Sequence, residues 1–439
     1  MPIAIRRSRS GRLRLPHVAA AGCLCWLILS SLALLVPEVQ AQSVDSTLNR
    51  RFQLAESFLA AGQFDRAVPL LEDLYQQRPD AYVFYDRLKR AYENLKQFDD
   101  AIALVEDQIE RTPLAVHIAE KARLLFLKGD TEEADATWDE AIQTLPLDPS
   151  TYRTVYLSMY QVRQFDAAIA VLENGRAKLG NEASFHADLA ALHILNGEYE
   201  RAVAEYVALL QKDERQLAYV RSRLAAITEE PQALAAAVSV TERAVRQAPT
   251  VRSVRELMAW LYLEGGRYLE ALNAFRALDQ LGEKDGRALF AFAQQAGDAG
   301  AFDAASEAYA ELLDRYPDTI IAPDALYGLA ALNEQWAEHL REHGDPNAET
   351  RYQRALATYR DYLDRFENHA FAPNARYRIA RLQWNAFGDR AGARETLQEL
   401  VKSAPSHPVA DEARLDLGMI AVEEGKLSEA RAAFARIVE

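Results

Sequence analysis

Apolar and small side chains recur along this chain with two nested spacings. Within short stretches they return every three or four residues, which places them on one face of an α-helix. In "FDRAVPLLEDLY", Phe64, Ala67 and Leu71 follow this spacing, and a closely similar stretch, "FDDAIALVEDQI", begins 34 residues later at Phe98. Repetition at this distance predicts tandem helical units, each too small to bury its own apolar face.

One alanine marks each unit. It occurs eleven times at intervals of 33 to 38 residues, apart from a single interval of 50. The alanines are Ala67, Ala101, Ala134, Ala168, Ala202, Ala237, Ala271, Ala305, Ala355, Ala393 and Ala430. A small side chain at a fixed position predicts a close approach of two helices, where a larger residue would cost about 1–3 kcal/mol by overpacking.

The positions around the alanine predict how each unit turns and ends. Glycine stands five residues before it in seven units, where a left-handed backbone would end a first helix. An apolar or aromatic residue stands three before it in nine units, and proline stands twelve after it in six. Because proline cannot continue a helix, each unit is predicted to be helix, tight turn, helix and stop.

This small–aromatic–alanine–proline pattern resembles the tetratricopeptide repeat and covers residues 48–439. The resemblance implies an all-α fold, a right-handed superhelical solenoid of about eleven helix-turn-helix repeats. Individual units depart from the pattern, since Lys96 and Arg163 replace the glycine.

The last repeats differ from the others. We expect eight ordinary repeats over 48–319 and three longer ones over 320–439, where the inter-repeat segments begin with a longer loop. These resemble repeats of the Tol–Pal coordinator protein and of the lipoprotein of the outer-membrane β-barrel assembly machine. In the 50-residue interval, the first helix is predicted to reach about residue 341, with an exposed loop at Gly344 and Pro346.

Residues 1–41 have the layout of a secretory signal peptide. Five arginines precede an apolar run, and "VQA" precedes the predicted cleavage between Ala41 and Gln42, so a periplasmic protein is expected. Two alternatives stay open. The apolar stretch 18–36 is long enough for an uncleaved inner-membrane anchor, and "AAGC" at Cys23 resembles a lipoprotein box.

Composition narrows the possible functions. Both cysteines, Cys23 and Cys25, lie in the signal segment, so the mature chain could form no disulfide and no zinc–cysteine site. The net charge is −15 for the whole chain and −19 without the signal segment. Such a surface repels phosphate backbones, and nucleic acid is therefore not an expected partner.

One motif raises the alternative of an enzyme. "HLREH", from His339 to His343, matches the H-x-x-E-H pattern of inverted zinc peptidases, with both histidines on one helix face. The motif also fits a solvated helix end, where histidines interact favourably with the helix dipole. We see no Walker loop or dinucleotide fingerprint, and expect no cofactor, no metal and no catalysis.

In tetratricopeptide proteins the first helices line a concave groove. The resemblance implies groove positions at Phe52, Glu56, Asp86, Arg90, Arg123, Phe126, Arg153, Tyr160, Glu256 and Trp260. Guanidinium groups there would suit a carboxylate such as a peptide C-terminus. The alternative is that each arginine pairs with a nearby Asp or Glu of the protein itself.

The expected function is a non-enzymatic scaffold in a Gram-negative cell envelope that binds other envelope proteins or peptide segments in the groove. A zinc peptidase and a scaffold for polysaccharide export are the alternatives. Membrane association is expected only through partners or an uncleaved anchor. Phe434 and Ile437 lie near one face of the last helix, which favours a homodimer through the C-terminal repeat.

Overall fold

The structure, a computed structural model, describes residues 36–180 and 185–438, with side chains from 47 to 180 and from 185 to 435. All regular secondary structure in these residues is helical, which confirms the all-α repeat fold.

The first helices of the eleven pairs are α1 (Val36–Ala60), α3 (Tyr82–Leu95), α5 (Ala115–Lys128), α7 (Pro149–Gln161), α9 (His186–Leu195), α11 (Leu217–Ala225), α13 (Arg252–Glu264), α15 (Arg287–Asp298), α17 (Ala322–Glu342), α19 (Ala372–Arg381) and α21 (Val409–Glu423). The second helices are α2 (Phe64–Gln77), α4 (Phe98–Arg111), α6 (Thr131–Thr144), α8 (Phe165–Leu179), α10 (Tyr199–Lys212), α12 (Pro231–Gln247), α14 (Tyr268–Leu281), α16 (Phe302–Arg315), α18 (Ala348–Phe366), α20 (Arg390–Ser403) and α22 (Leu427–Val438).

The pairs form two compact units. The first unit ends at Gln164, after α7, and the second begins at Phe165 with α8. The boundary thus falls inside the fourth helix pair. This boundary does not test the predicted difference between eight ordinary repeats over 48–319 and three longer ones over 320–439. That difference concerns the kind of repeat, and it stays a prediction.

The repeat alanines occupy equivalent positions in the helix pairs. All eleven alanines lie on second helices, and ten of them have no exposed surface. Residues four positions further along, such as Leu71 and Tyr359, are buried on the same face. The small side chain therefore lies where the two helices of a pair are in contact.

The tight turn between paired helices has a left-handed residue in most units. Where glycine stands five residues before the alanine, φ lies between +65° and +107°. Lys96 and Arg163 adopt the same conformation, with φ of 58° and 62°. A non-glycine residue rarely takes this conformation, so the geometry of the helix pair imposes it on these two positions.

The long interval between Ala305 and Ala355 extends both helices of the ninth pair. α17 has 21 residues and α18 has 19, where 14 is common in the other second helices. α17 ends at Glu342, and Gly344 follows with a φ of +70°. The predicted helix to about residue 341, and the loop after it, are confirmed.

The predicted signal segment falls mostly outside the described residues. Residues 1–35, with Cys23 and Cys25, are not described, and α1 begins at Val36, so the backbone is helical across the predicted cleavage at Ala41–Gln42. Among the helices of the described residues, none has the length and apolar character to cross a membrane.

Candidate binding site

The predicted groove residues divide between the two compact units. Phe52, Asp86, Arg90, Arg123, Phe126, Arg153 and Tyr160 lie on first helices of the first unit, and Trp260 lies on α13 of the second. Each unit is therefore considered by itself.

Arg123 belongs to a network of charges in the first unit. It lies 2.6 Å from Glu120 and 2.7 Å from Glu93, while Lys89 lies 2.6 Å from Glu120. Only 8% of Arg123 is exposed. Burial alone would lower the pKa of its guanidinium, but the hydrogen bond and attraction of Glu120 raise that pKa above its ordinary value. Carboxylates of the protein itself thus neutralise Arg123.

Arg90 lies at the surface beside this network. Its guanidinium is 3.3 Å from the carboxylate of Asp86, which also accepts a 2.8 Å hydrogen bond from Arg87. The Arg90 side chain is 64% exposed, and an ion pair this exposed is weak. Arg90 is therefore open to a partner, whereas Arg123 is not.

The other groove positions of the first unit are aromatic or lie near its end. Phe52 packs edge-on against Phe84, with ring centroids 5.2 Å apart, and Phe126 lies 5.9 Å from Trp138. Arg153 and Tyr160 are exposed on α7. These positions are spread over three first helices, α1, α5 and α7, and so are distributed along the unit.

In the second unit, Trp260 lines a cavity of about 260 Å³ between α11, α13, α14 and α15. We call it the basic pocket. Its apolar wall includes Trp260, Phe275 and Leu278, and its basic side chains are Arg221, Arg252 and Arg287. Glu256 is the one acidic residue in the lining. Three arginines at one cavity are notable in a protein whose formal charge is −15.

Two of the three arginines already have carboxylate partners. Arg252 donates to Glu256 at 2.7 Å, and Arg287 lies 2.8 Å from Asp285. All four side chains are partly exposed, so solvent screens both pairs. A ligand carboxylate could compete with Glu256 or Asp285 at modest cost.

Arg221 differs from them. Its guanidinium carbon lies over the indole of Trp260, 5.2 Å from the ring centroid. No carboxylate of the described residues forms an ion pair with it. Burial lowers the pKa of Arg221, because the charges of Glu264 and Glu256 only partly offset the lost solvation. The pocket therefore presents a half-buried cation that forms no direct ion pair with a described residue.

Sequence reasoning identified Trp260 and Glu256 but missed the arginines. Arg252 and Arg287 are the first residues of α13 and α15, one repeat apart. The sequence contained a signal for this pair, because the spacing of 35 residues is within one residue of the 34-residue interval between Ala271 and Ala305. Arg221 carried no such signal.

The "HLREH" motif is a helix end. The rings of His339 and His343 lie 4.4 Å apart, and Nδ1 of His343 is 2.7 Å from the carbonyl oxygen of His339. His339 also packs against Phe302. No group of three His, Cys, Asp or Glu side chains in the described residues is placed to hold a metal ion. Nothing in this arrangement points to a peptidase.

Family models for the tetratricopeptide repeat match residues 58–120, 348–408 and 386–439. These matches lie at both ends of a chain in which every described helix pair has a buried alanine in the same register. The chain contains tetratricopeptide repeats. Proteins of this family bind other proteins and are typically non-catalytic scaffolds. Neither match supports the more specific resemblance to the Tol–Pal coordinator or the assembly-machine lipoprotein.

Solved structures of other repeat proteins show a low similarity to this chain. MamA from Desulfovibrio magneticus RS-1 is 16% identical, with 43% of this chain and 93% of that chain covered and a TM-score of 0.30. A thermophilic repeat protein from Thermus thermophilus is 19% identical, with coverages of 43% and 90% and a TM-score of 0.29. The P58(IPK) TPR domain is 14% identical, with coverages of 89% and 92% and a TM-score of 0.21. Similarity this low carries no information on function, and no curated protein matches the chain.

Proposed function

We propose that this protein is a non-enzymatic scaffold of the bacterial periplasm that binds segments of other envelope proteins. The basic pocket of the second unit receives a carboxylate of the partner, either a C-terminus or an acidic side chain. Arg221 supports the proposal most directly, since it is a half-buried cation with no ion-pair partner in the described residues.

The chemistry of the pocket favours a carboxylate on an apolar stem. A guanidinium donates two parallel hydrogen bonds to a carboxylate, and burial strengthens this pairing. Trp260, Phe275 and Leu278 provide a surface for the aliphatic or aromatic part of the same residue. A ligand carboxylate would supply the direct ion-pair partner that Arg221 lacks among the described residues.

The periplasmic location is proposed from the N-terminal segment. Arginines from Arg6 to Arg14, the apolar run and "VQA" support secretion with a mature N-terminus at Gln42. Mass spectrometry of the native protein tests this proposal. Detection of Met1 in a membrane fraction would instead support the inner-membrane anchor, and a lipid on Cys23 would support a lipoprotein.

Binding can be tested without knowing the partner. A library of random nonapeptides with free C-termini is selected on the full-length protein and on Arg221→Gln. The wild type should enrich peptides that end in an apolar residue or carry Asp or Glu. In Arg221→Gln, the affinity of the selected peptides should fall about tenfold or more. Blocking the peptide C-terminus as an amide should have a similar effect on those that bind through it.

A matched control is Arg243→Gln. Arg243 is exposed on α12, a second helix of the same unit, and does not line the basic pocket. This variant should retain wild-type affinity. If it loses as much affinity as Arg221→Gln, or if the wild type enriches no carboxylate-bearing peptides, the proposed site is wrong.

The homodimer through the last repeat stays a separate prediction. Light scattering over a range of protein concentrations tests it.

A further inference from the structure

A second cavity adjoins the basic pocket. It has a volume of about 730 Å³ and lies mainly between α15 and α17, with contributions from α16 and Phe371. Ala291 and Gln295 of α15 line both cavities, so the two are neighbours on the same side of the second unit. We call the second cavity the acidic pocket.

Aromatic rings form much of its wall. Tyr327 and Phe371 are stacked with centroids 5.3 Å apart, and Phe290 meets Tyr309 edge-on at 5.9 Å. Phe371 is 42% exposed, an unusual position for a large apolar ring. These faces are suited to contact with a cation or a flat group of a ligand.

The charges of the acidic pocket are opposite to those of its neighbour. Asp298 and Asp324 are the only charged residues that line it, and neither forms an ion pair with another described residue. Asp298 is also the last residue of α15, where the negative end of the helix dipole disfavours a carboxylate. The described part of the protein therefore does not itself neutralise this pair of negative charges.

Tyr309 provides an independent indication of a ligand. The residue is only 4% exposed, and its hydroxyl, which forms no hydrogen bond within the described residues, is reached by solvent from the cavity that it lines. The hydroxyl points to the space above Gly328, 2.7 Å from where a Cβ at that position would lie. Burial, followed by the charge of Asp298, raises the pKa of Tyr309 to about 12.

We infer that the acidic pocket binds a lysine or arginine side chain of the same segment whose carboxylate occupies the basic pocket. This inference rests on the proposed peptide-binding function. The cation would lie among the aromatic faces and pair with Asp298 and Asp324. It could also donate a hydrogen bond to the phenol oxygen of Tyr309. Opposite charges in adjoining cavities fix both the direction and the register of the bound segment.

A neutral ligand fits less well. A sugar could stack on Tyr327 and Phe371, but it would remove water from Asp298 and Asp324 without supplying a counter-charge. Burying carboxylates without a partner is unfavourable, whereas a cation compensates for the lost solvation. The charge of the lining therefore favours a basic side chain over a sugar hydroxyl.

The spacing of the two charges in the ligand follows from the helix geometry. Packed helices lie roughly 8–10 Å apart, and the pockets are one to two such intervals from each other. An extended chain advances about 3.3 Å per residue. The basic residue should therefore lie roughly three to six positions from the carboxylate.

The same nonapeptide library tests the inference. Wild-type protein should enrich Lys or Arg at a fixed separation from the carboxylate, and replacing that residue by Gln should weaken binding about tenfold. Asp298→Asn with Asp324→Asn should abolish the Lys/Arg enrichment while retaining the carboxylate preference. Asp314→Asn is the control, because Asp314 is exposed on α16 and does not line the cavity.

Tyr309→Phe provides a second variant that removes only the hydroxyl. Since that hydroxyl forms no hydrogen bond within the described residues and is reached by solvent, the variant should be about as stable as the wild type but should bind the basic peptide about two- to fivefold more weakly. Carboxylate enrichment without any Lys/Arg preference in the wild type would overturn this inference and leave the proposed function standing. Absence of both preferences would overturn the proposed function itself. Binding of neutral oligosaccharides with unchanged affinity in the double Asp variant would show that the cavity is a sugar site instead.

Discussion

The guanidinium of Arg221 lies 5.2 Å from the centre of the Trp260 ring and forms no direct ion pair with a carboxylate of the described residues. One repeat brings the arginine and the next brings the indole, so the contact exists only because α11 and α13 are neighbours. A partly exposed cation over an aromatic ring gains about 0.5–1 kcal/mol, which does not fully replace lost hydration. The pair is therefore better suited to binding an anion than to stabilising the fold.

Arg221→Met should consequently raise stability while it lowers affinity. Methionine keeps the aliphatic contact with Trp260 and removes a partly desolvated charge, so the free energy of unfolding should rise by about 0.5–1 kcal/mol. Thermal melting and titration with a selected peptide measure the two effects. A structural role for Arg221 would be indicated if the variant melted at a lower temperature than the wild type.

Arg123 should behave in the opposite way. Arg123→Met leaves Glu120 and Glu93 without their shared partner, and breaking such a buried pair should cost about 3–5 kcal/mol. Chemical denaturation measures the loss. Arg90→Ala, at an exposed pair on the preceding first helix, should change stability by less than about 0.5 kcal/mol. Equal effects of the two substitutions would contradict the burial described for Arg123.

Glu120 predicts a specific loss of stability in acid. Burial would raise the pKa of its carboxyl from the ordinary 4.5, but the hydrogen bond from Arg123 and the charge of Lys89 outweigh burial and lower it to about 2. Because the folded pKa is depressed, the contribution is fully present above about pH 4.5 and is lost as the pH falls through about 2. The contribution at pH 7 is up to about 3 kcal/mol.

The measurement is the stability difference between wild type and Glu120→Gln at several pH values. The wild type should be more stable at pH 7, and the difference should shrink as the pH approaches 2. Asp361→Asn serves as control, since Asp361 lies in an exposed pair with Arg365. A difference that does not vary with pH would show that Glu120 acts through packing rather than charge.

The repeat alanines predict a sharp contrast within one helix. Ala202 of α10 has no exposed surface, while Ala204 of the same helix faces solvent. Ala202→Leu should destabilise the protein by about 1–3 kcal/mol through overpacking, and Ala204→Leu by less than about 0.5 kcal/mol. Urea denaturation of the two variants tests the pair. If both lose equal stability, the close approach of helices at Ala202 is not the cause.

The loop after α17 should be an early site of proteolysis. Residues 343–347 leave helical structure around Gly344 and are largely exposed, and the glutamate-specific protease site at Glu342 lies next to them. Brief digestion followed by mass spectrometry should detect a cut after Glu342 before cuts after Glu264 or Glu424, which border tight turns. Earlier cleavage at those turns would show that the longer loop is the better protected segment.

The sequence by itself determined the local structure. Alanine, glycine and proline in a fixed register specify the faces, turns and ends of helices, because side chains three or four residues apart must share a helix face. That register located all eleven alanines, the left-handed turns and the long α17. It also placed Tyr309, four residues after Ala305, on the buried face.

Tertiary structure alone decided which side chains meet across repeats. Arg221, Trp260 and Arg287 come from three successive first helices, and their convergence depends on how those helices stack rather than on any local spacing. The same stacking pairs Arg123 with Glu93 of the preceding first helix. Arg90 and Arg123 therefore differ in how available they are to a partner, although both are predicted groove residues on first helices. The spacing of residues in a helix determines the direction in which each side chain leaves the helix axis. The distance from that side chain to one in the next repeat is determined only when the two repeats pack against each other.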